Sequence, residues 1–156
     1  MGEATKSPLR VHFDRRLKLE FRGTTITSDA GLLAFRELDD AIGLTKLAAS
    51  RLTECRKGKN TQHALVALLR QSIFGRLAGY EDVNDAERLR LDPAMRALVD
   101  HGDASRYAAS TSEMARFETE LLATEENLEA LTDLPGLWIE RVYERTALKD
   151  LVLDMD

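Results

Sequence analysis

The sequence TQHALVALLRQSIFGRL, at positions 61–77, contains the clearest helical pattern of the chain. Its large apolar residues recur at helical spacing and form one stripe: Leu65, Leu68, Leu69 and Ile73. Arg70 and Arg76 fall outside that stripe. The pattern predicts a helix over 61–77 that is the central element of a hydrophobic core and carries both arginines on its outer side.

Upstream of this helix, the pattern changes from strand-like to helical. Apolar and polar residues alternate from Val11 to Phe21, with a break of phase at Asp14, which predicts two short strands or a bulged hairpin. A helical period follows and predicts a helix over 28–43 that ends at Gly43, then a short helix over 44–52. The apolar positions that define the first of these helices are Leu32, Leu33, Phe35, Leu38 and Ile42.

Downstream, a shorter helix is predicted over 83–91, with a break and restart at Asp92 and Pro93. After the break, Met95, Leu98 and Val99 are expected to pack on this helix. Ser110 and Glu113 have the spacing of a capping box, which predicts a helix over 111–122. The sequence then predicts one helix capped by Thr124 and another that starts at 133–135.

These elements predict a mainly α fold. The chain has 156 residues, and Leu and Ala supply most of its 44% hydrophobic residues, which favours helix over sheet. We expect a disordered tail over 1–9 and a mostly helical domain over 10–148. The last residues, 149–156, include Leu151, Val152 and Leu153, which predict a buried strand.

Charge is distributed unevenly along the chain. Residues 1–80 contain 14 basic and 8 acidic residues, a net charge of +6, whereas residues 81–156 contain 8 basic and 19 acidic residues, a net charge of −11. A basic half on an acidic chain suggests a local anionic partner, although chance clustering on a solvated surface is the alternative. The candidate DNA-binding residues are Arg56, Lys57 and Lys59 of a predicted exposed loop over 53–60, together with Arg70 and Arg76.

Several classes of protein and site are disfavoured. No run of about 18 apolar residues predicts a membrane span, and the first ten residues lack a secretory signal. Cys55 is the single cysteine and is expected to be an ordinary thiol, so a cytoplasmic protein is the default expectation. Phosphate-binding glycine motifs and metal-binding histidine spacings are absent from the sequence.

The candidate chemistry lies at the end of the chain. Asp154 and Asp156 are two residues apart, so on a strand both carboxylates face the same side. Two such carboxylates can hold Mg²⁺ through oxygen ligands, and a two-metal nuclease site needs further acids from elsewhere. Asp154 and Asp156 are therefore the candidate catalytic and metal-binding residues.

Four segments, in the same order along the chain, resemble DDE transposases of bacterial insertion sequences. They are 21–38 (FRGTTITSDAGLLAFREL), 79–85 (GYEDVND) with 89–95 (LRLDPAM), 110–118 (STSEMARFE) and 151–156 (LVLDMD). The third resembles a signature that precedes the catalytic core of these enzymes. The fourth resembles the strand that opens an RNase H-like fold and supplies the first catalytic aspartate.

The resemblance implies DNA cleavage and strand transfer with two Mg²⁺ ions during transposition. It implies that Asp154 or Asp156 is the first acid of the triad, without choosing between them, and that the second Asp and the Glu lie beyond residue 156. Glu81, Asp82 and Asp85 are expected to be helix-start acids rather than replacements for them.

We therefore expect a truncated transposase that lacks catalysis on its own. Its expected partners are DNA at the element ends and a full-length transposase or a second copy, with no membrane. The alternatives are a DNA-binding or interaction module that regulates a full-length transposase, and an inert remnant.

Overall fold

The computed structural model describes residues 9–19, 29–99 and 106–144, and this part of the chain is mainly helical, as the sequence predicts. The helices are α1 (Leu32–Ile42), α2 (Leu44–Arg51), α3 (Leu65–Leu77), α4 (Ala86–Leu89), α5 (Pro93–Val99), α6 (Thr111–Arg116) and α7 (Glu125–Tyr143). Short 3₁₀ turns occupy Asp29–Gly31, Gly58–Thr61 and Val83–Asp85, and a π-helical turn, Phe117–Leu121, continues α6.

Two short strands precede the helices. Strands β1 (Leu9–Arg10) and β2 (Lys18–Leu19) pair antiparallel, with Leu9 opposite Leu19. The residues between them form the connection, and Val11 is buried in the core. Residues 1–8 of the predicted tail, residues 20–21 of the alternating stretch and the predicted strand at 151–153 lie outside the described residues. Leu9, which the sequence assigned to the tail, is part of β1.

Helix α3 joins the two halves of the core. Phe74 belongs to one cluster of buried apolar residues, which also contains residues of α1 and α5. Leu68 and Leu69 belong to the other, which also contains residues of α2 and α6. The helix begins at Leu65, later than the predicted start, because a 3₁₀ turn and an extended residue precede it.

The placement of Arg70 on the outside of α3 was wrong. Its side chain is fully buried, as is Gln71 next to it. Arg70 Nε lies 3.2 Å from Thr45 Oγ1 and 3.5 Å from Asp39 Oδ2, and its Nη2 lies 3.4 Å from Asp40 Oδ1. Arginine is usually a surface residue, and a position outside the apolar stripe of a helix is usually exposed. Here the carboxylates of Asp39 and Asp40 compensate the buried charge of Arg70.

A second buried arginine extends this network to other elements. Arg36 Nε donates to Asp40 Oδ2 at 3.1 Å, and Arg36 Nη1 donates to the carbonyl oxygen of Leu98 in α5. The ring of Phe13 lies 4.8 Å from the guanidinium carbon of Arg36, within the range of a cation–π contact. We call Arg36, Asp39, Asp40, Thr45 and Arg70 the buried arginine network; it connects α1, α2, α3 and α5.

The network explains a second correction, to the buried face of α1. Leu32 and Leu33 are buried, as expected, but Phe35 and Leu38 are 48% and 51% exposed. Arg36 and Asp39 take the inward positions instead. The helix therefore turns its polar network residues inward and part of its predicted apolar stripe outward.

Gly43 makes the corner between α1 and α2. It has φ 75°, a left-handed conformation that suits glycine, and its N–H donates to the carbonyl oxygen of Asp39 at 2.6 Å. Asp39 Oδ1 then accepts the backbone N–H of Thr45 in the first turn of α2 at 2.8 Å. Asp39 thus accepts the N–H of the α1 C-cap through its carbonyl oxygen and an N–H of the first turn of α2 through its carboxylate. Helix α1 ends before Gly43, which confirms the predicted helix end.

Side-chain amides tie the later helices to this core. Gln71 of α3 forms two hydrogen bonds of 2.7 Å with the backbone N–H and carbonyl of Ala109. Asn127 of α7 accepts the N–H of Thr53 at 2.7 Å and donates to the carbonyl oxygen of Leu121 at 2.8 Å. The predicted capping box of Ser110 and Glu113 is present at the start of α6.

The separate last helix predicted from residue 133 was wrong, because α7 is continuous through Pro135. Proline removes one backbone hydrogen bond but does not have to end a helix that is held by packing. Leu131 and Leu134 pack against the second core cluster before the proline, and the Arg141 guanidinium lies beside Gly43 beyond it.

We predict that Leu68→Ala and Leu69→Ala each lower the free energy of unfolding by about 2–5 kcal/mol, because both side chains are almost fully buried. Leu77→Ala, at a position 54% exposed on the same helix, is the matched control and should have little effect. Urea unfolding followed by circular dichroism measures all three. A loss below about 0.5 kcal/mol at both buried positions would contradict the central placement of α3.

We also predict that Arg70→Ala lowers the free energy of unfolding by about 3–5 kcal/mol, because it leaves the buried Asp39 carboxylate without its arginine partner. Arg76→Ala, which removes an exposed arginine paired with Glu118, should cost no more than about 1 kcal/mol. Equal losses in the two variants would show that burial of Arg70 is not important for stability.

Candidate nucleic-acid interface

The candidate site is a cleft between the loop that follows α2 and the α6 helix with its π-helical turn. Its volume is about 420 Å³, and its wall is formed by Cys55, Arg56, Lys57, His63, Leu68, Glu113, Arg116, Glu120 and Leu121. We call it the basic cleft, because four basic residues line it, beside the two carboxylates of Glu113 and Glu120. Leu68 of α3 connects the cleft to the hydrophobic core.

Arg56 shapes one wall of the cleft. Its side chain is only 14% exposed, and its Nε donates to Glu54 Oε1 at 2.8 Å while its Nη1 donates to the carbonyl oxygen of His63 at 3.1 Å. The side-chain hydrogen bond from Arg56 lowers the pKa of the Glu54 carboxyl below its ordinary value. Arg56 therefore holds the loop against His63, and its charge is offset by Glu54.

The opposite wall belongs to α6. Arg116 is exposed and its Nε donates to the carbonyl oxygen of Ser112 at 3.1 Å, while His63 Nε2 lies 3.5 Å from Glu113 Oε1. Burial would raise the pKa of Glu113, but hydrogen bonds from the Ser110 N–H and hydroxyl, and the nearby His63 and Arg116, lower it overall. Glu113 is thus a fixed carboxylate between two basic side chains.

The structure separates the predicted DNA-binding residues into different environments. Arg56 and Lys57 line the cleft, and Lys57 is exposed. Lys59 lies in the 3₁₀ turn Gly58–Thr61, and its side chain is outside the described part of the structure. Arg70 cannot contact DNA in the folded protein because it is fully buried, and Arg76 is exposed but lies 3.0 Å from Glu118 Oε1.

Sequence reasoning missed Arg116 and His63 as members of this cleft. They lie 53 positions apart in the sequence, and only the packing of α6 beside the 55–57 loop brings them together. The available signal was the segment 110–118, which contains Arg116.

The other residues of that segment have structural roles. Ser110 and Glu113 form the helix cap, and Phe117 is buried in the second core cluster. Glu118 Oε1 accepts from Ser72 Oγ at 3.1 Å and from Arg76 Nη2 at 3.0 Å, which joins the segment to α3.

The predicted metal-binding residues, Asp154 and Asp156, lie outside the described residues. Within residues 9–19, 29–99 and 106–144, no group of three or more His, Cys, Asp or Glu residues is arranged to hold a metal ion. Asp82 begins a 3₁₀ turn and accepts the N–H of Asn84 at 2.8 Å, consistent with its expected role as a helix-start acid. The helices that the structure describes are also too short or too polar to cross a membrane.

Comparison with known proteins identifies one family. The family model described as transposase DDE domain, group 1, matches residues 9–156. No curated protein and no solved structure matches the chain.

We predict that Glu113→Ala lowers the free energy of unfolding by about 1 kcal/mol at pH 7, because the cap of α6 is lost. Since folding lowers the pKa of Glu113, its contribution is complete above the unfolded value of about 4.3 and is lost as the pH falls through the folded pKa. The difference from the wild type should therefore shrink below pH 4 in urea titrations. Glu120→Ala, which removes an exposed carboxylate from the same cleft, is the control, and an equal loss there would exclude a specific capping role.

Proposed function

The chain belongs to the family of transposase DDE domains of group 1, and from that premise we propose that its helical part binds the DNA of an insertion sequence during transposition. The observation that carries this proposal is the basic cleft, which the exposed residues Lys57 and Arg116 line from two separate segments of the chain. DNA phosphates are recognised mainly by such side chains, and they supply much of the affinity without sequence preference.

The basic residues of the cleft have different roles in the proposed phosphate binding. Arg56 is largely buried and paired, so we infer that it positions the loop, whereas Lys57 and Arg116 contact phosphate oxygens. Lys59, in the same loop, and Arg76, on α3, are further contacts in this proposal. Arg76 would first have to exchange Glu118 for a phosphate.

The catalytic part of the proposal rests on Asp154 and Asp156. The family implies divalent metal ions, and these two carboxylates are the candidate Mg²⁺ ligands, one of them as the first acid of the triad. When bound, metal ions of this kind stabilise the attacking and leaving oxygens of phosphoryl transfer. The role of these two residues in the proposal is to supply carboxylate oxygens to the metal ions.

A second candidate function is regulation of a full-length transposase, by occupation of element ends or by pairing with it. One observation favours it: the basic cleft is formed entirely by residues 55–121, so DNA binding would not require the catalytic acids.

We predict weak, salt-sensitive binding to duplex DNA. Lys57→Ala and Arg116→Ala should each weaken binding and reduce the slope of log K against log salt by about 0.9, because each removes one phosphate contact. Fluorescence anisotropy with a labelled duplex between about 50 and 200 mM salt measures both quantities. Arg88→Ala, which removes an exposed arginine outside the cleft, is the charge-matched control. Absence of binding at the lowest salt, or an equal loss in the control, would contradict the proposal.

We further predict that these 156 residues alone do not cleave DNA, because Asp154 and Asp156 account for one of the three acidic positions that a two-metal site of this family requires. The assay incubates purified protein with Mg²⁺ or Mn²⁺ and supercoiled DNA, beside an Asp154→Ala, Asp156→Ala double variant. Nicking by the wild type that the double variant loses would refute this expectation and would indicate that other carboxylates complete the site.

A further inference from the structure

His63 lines the basic cleft with a side chain of a type that gains or loses a proton close to neutral pH. It lies between the 3₁₀ turn Gly58–Thr61 and α3, and its side chain is 13% exposed. Its Nε2 atom lies 3.5 Å from Oε1 of Glu113 in α6. A proton on the imidazole therefore places a positive charge inside the cleft, directly beside a carboxylate.

The carboxylate of Glu113 is held in this position by the cap of α6. Its Oε2 accepts the backbone N–H of Ser110 at 2.8 Å and the Ser110 hydroxyl at 2.7 Å, whereas Oε1 faces His63. Burial raises the pKa of Glu113, but the hydrogen bonds from Ser110 and the nearby His63 and Arg116 lower it overall. Glu113 is therefore ionised throughout the pH range in which a histidine ordinarily titrates, about one unit either side of 6.5.

The permanent charges around His63 are close to balance. Arg56 donates to the carbonyl oxygen of His63 at 3.1 Å, and the charge of this arginine is offset by Glu54. The other ionisable groups that line the cleft are two exposed cations, two carboxylates and a thiol: Lys57, Arg116, Glu113, Glu120 and Cys55. Because these cations and carboxylates are equal in number, the proton on His63 decides whether the cleft has an excess of positive charge.

A DNA phosphate responds directly to this difference. Phosphodiesters remain anionic across the same pH range, and their binding depends on the cations that neutralise them. The carboxylate of Glu113 repels a phosphate in the cleft when His63 is neutral. When His63 is protonated it compensates that carboxylate, and Lys57 and Arg116 then act on the phosphate without this opposition.

We propose that His63 makes DNA binding by the basic cleft pH-dependent, because its protonated form neutralises Glu113 and strengthens the phosphate contacts of Lys57 and Arg116. This regulation rests on the DNA-binding function proposed above. Its sign follows from the chemistry of imidazole, which is cationic at low pH and neutral at high pH. Affinity for DNA therefore rises as the pH falls, and binding is accompanied by proton uptake.

Fluorescence anisotropy with a labelled duplex tests this regulation, at a constant ionic strength of about 50 mM and at about pH 5.5 and 7.5. The wild-type protein should bind about five- to tenfold more tightly at the lower pH, where the slope of log K against log salt should be steeper by about 0.9. This range lies above the pH at which the Glu113 cap is lost, and thiols remain mostly protonated within it.

Variants at His63 separate its charge from its shape. His63→Gln should bind at both pH values with the affinity that the wild type has at the higher one. His63→Lys, which carries a permanent charge, should bind at both with the affinity of the wild type at the lower one. The matched control is a His12→Gln, His101→Gln double variant, which removes the other two histidines of the chain and should keep the wild-type pH dependence.

The outcomes distinguish this regulation from DNA binding itself. DNA binding that is independent of pH in the wild type, or a pH dependence that survives in a folded His63→Gln variant, would overturn the role of His63 and leave the DNA-binding function standing. Loss of the pH dependence in the His12→Gln, His101→Gln control would also overturn it. Absence of binding at either pH would contradict the proposed function of the cleft, and the regulation with it. Circular dichroism establishes that each variant folds.

Discussion

The arrangement of the helices depends on the burial of two arginines in a core that otherwise packs mainly through apolar side chains. Removing a guanidinium from water costs several kcal/mol, and only close partners offset that cost. Burial, and then the nearby charge of Arg36, lower the pKa of Arg70. Burial raises the pKa of Asp40, but Arg36 and Lys46 outweigh it and keep this carboxyl acidic. The network is therefore favourable only when α1, α2, α3 and α5 meet in one arrangement.

This constraint also determines which residues the surrounding helices present at the surface. Because Arg36 and Asp39 point inward, α1 turns Phe35 and Leu38 outward to solvent. Because Arg70 anchors α3, Leu68 of the same helix is held beneath the basic cleft. The exposed side chains of Lys57 and Arg116 thus line a cleft that is packed against α3, and the buried Arg70 fixes the position of α3.

Local signals in the sequence were sufficient for helix ends and caps, as Gly43, Asp82 and the Ser110–Glu113 pair show, because these depend on neighbouring residues alone. Burial of Arg70 could not be predicted from its own helix, since its partners lie on α1 and α2. The spacing of Arg36, Asp39 and Asp40 on α1 did carry a signal for it. Pro135 was misinterpreted because tertiary packing, rather than propensity, decides whether α7 continues. The cleft could not be predicted in this way, because Arg116 and Lys57 both line it although 59 positions separate them in the sequence. Only the fold brings these two residues to the same site.

A double-mutant cycle between Arg70 and Asp39 tests the central role of the network most directly. The free energies of unfolding of the wild type, Arg70→Ala, Asp39→Ala and the double variant give the coupling between the two side chains without their separate burial costs. A network that determines the fold predicts a coupling of about 2 kcal/mol, within the range for residues in direct contact. Additive losses, with a coupling below about 0.5 kcal/mol, would contradict it and would mean that apolar packing alone arranges the helices.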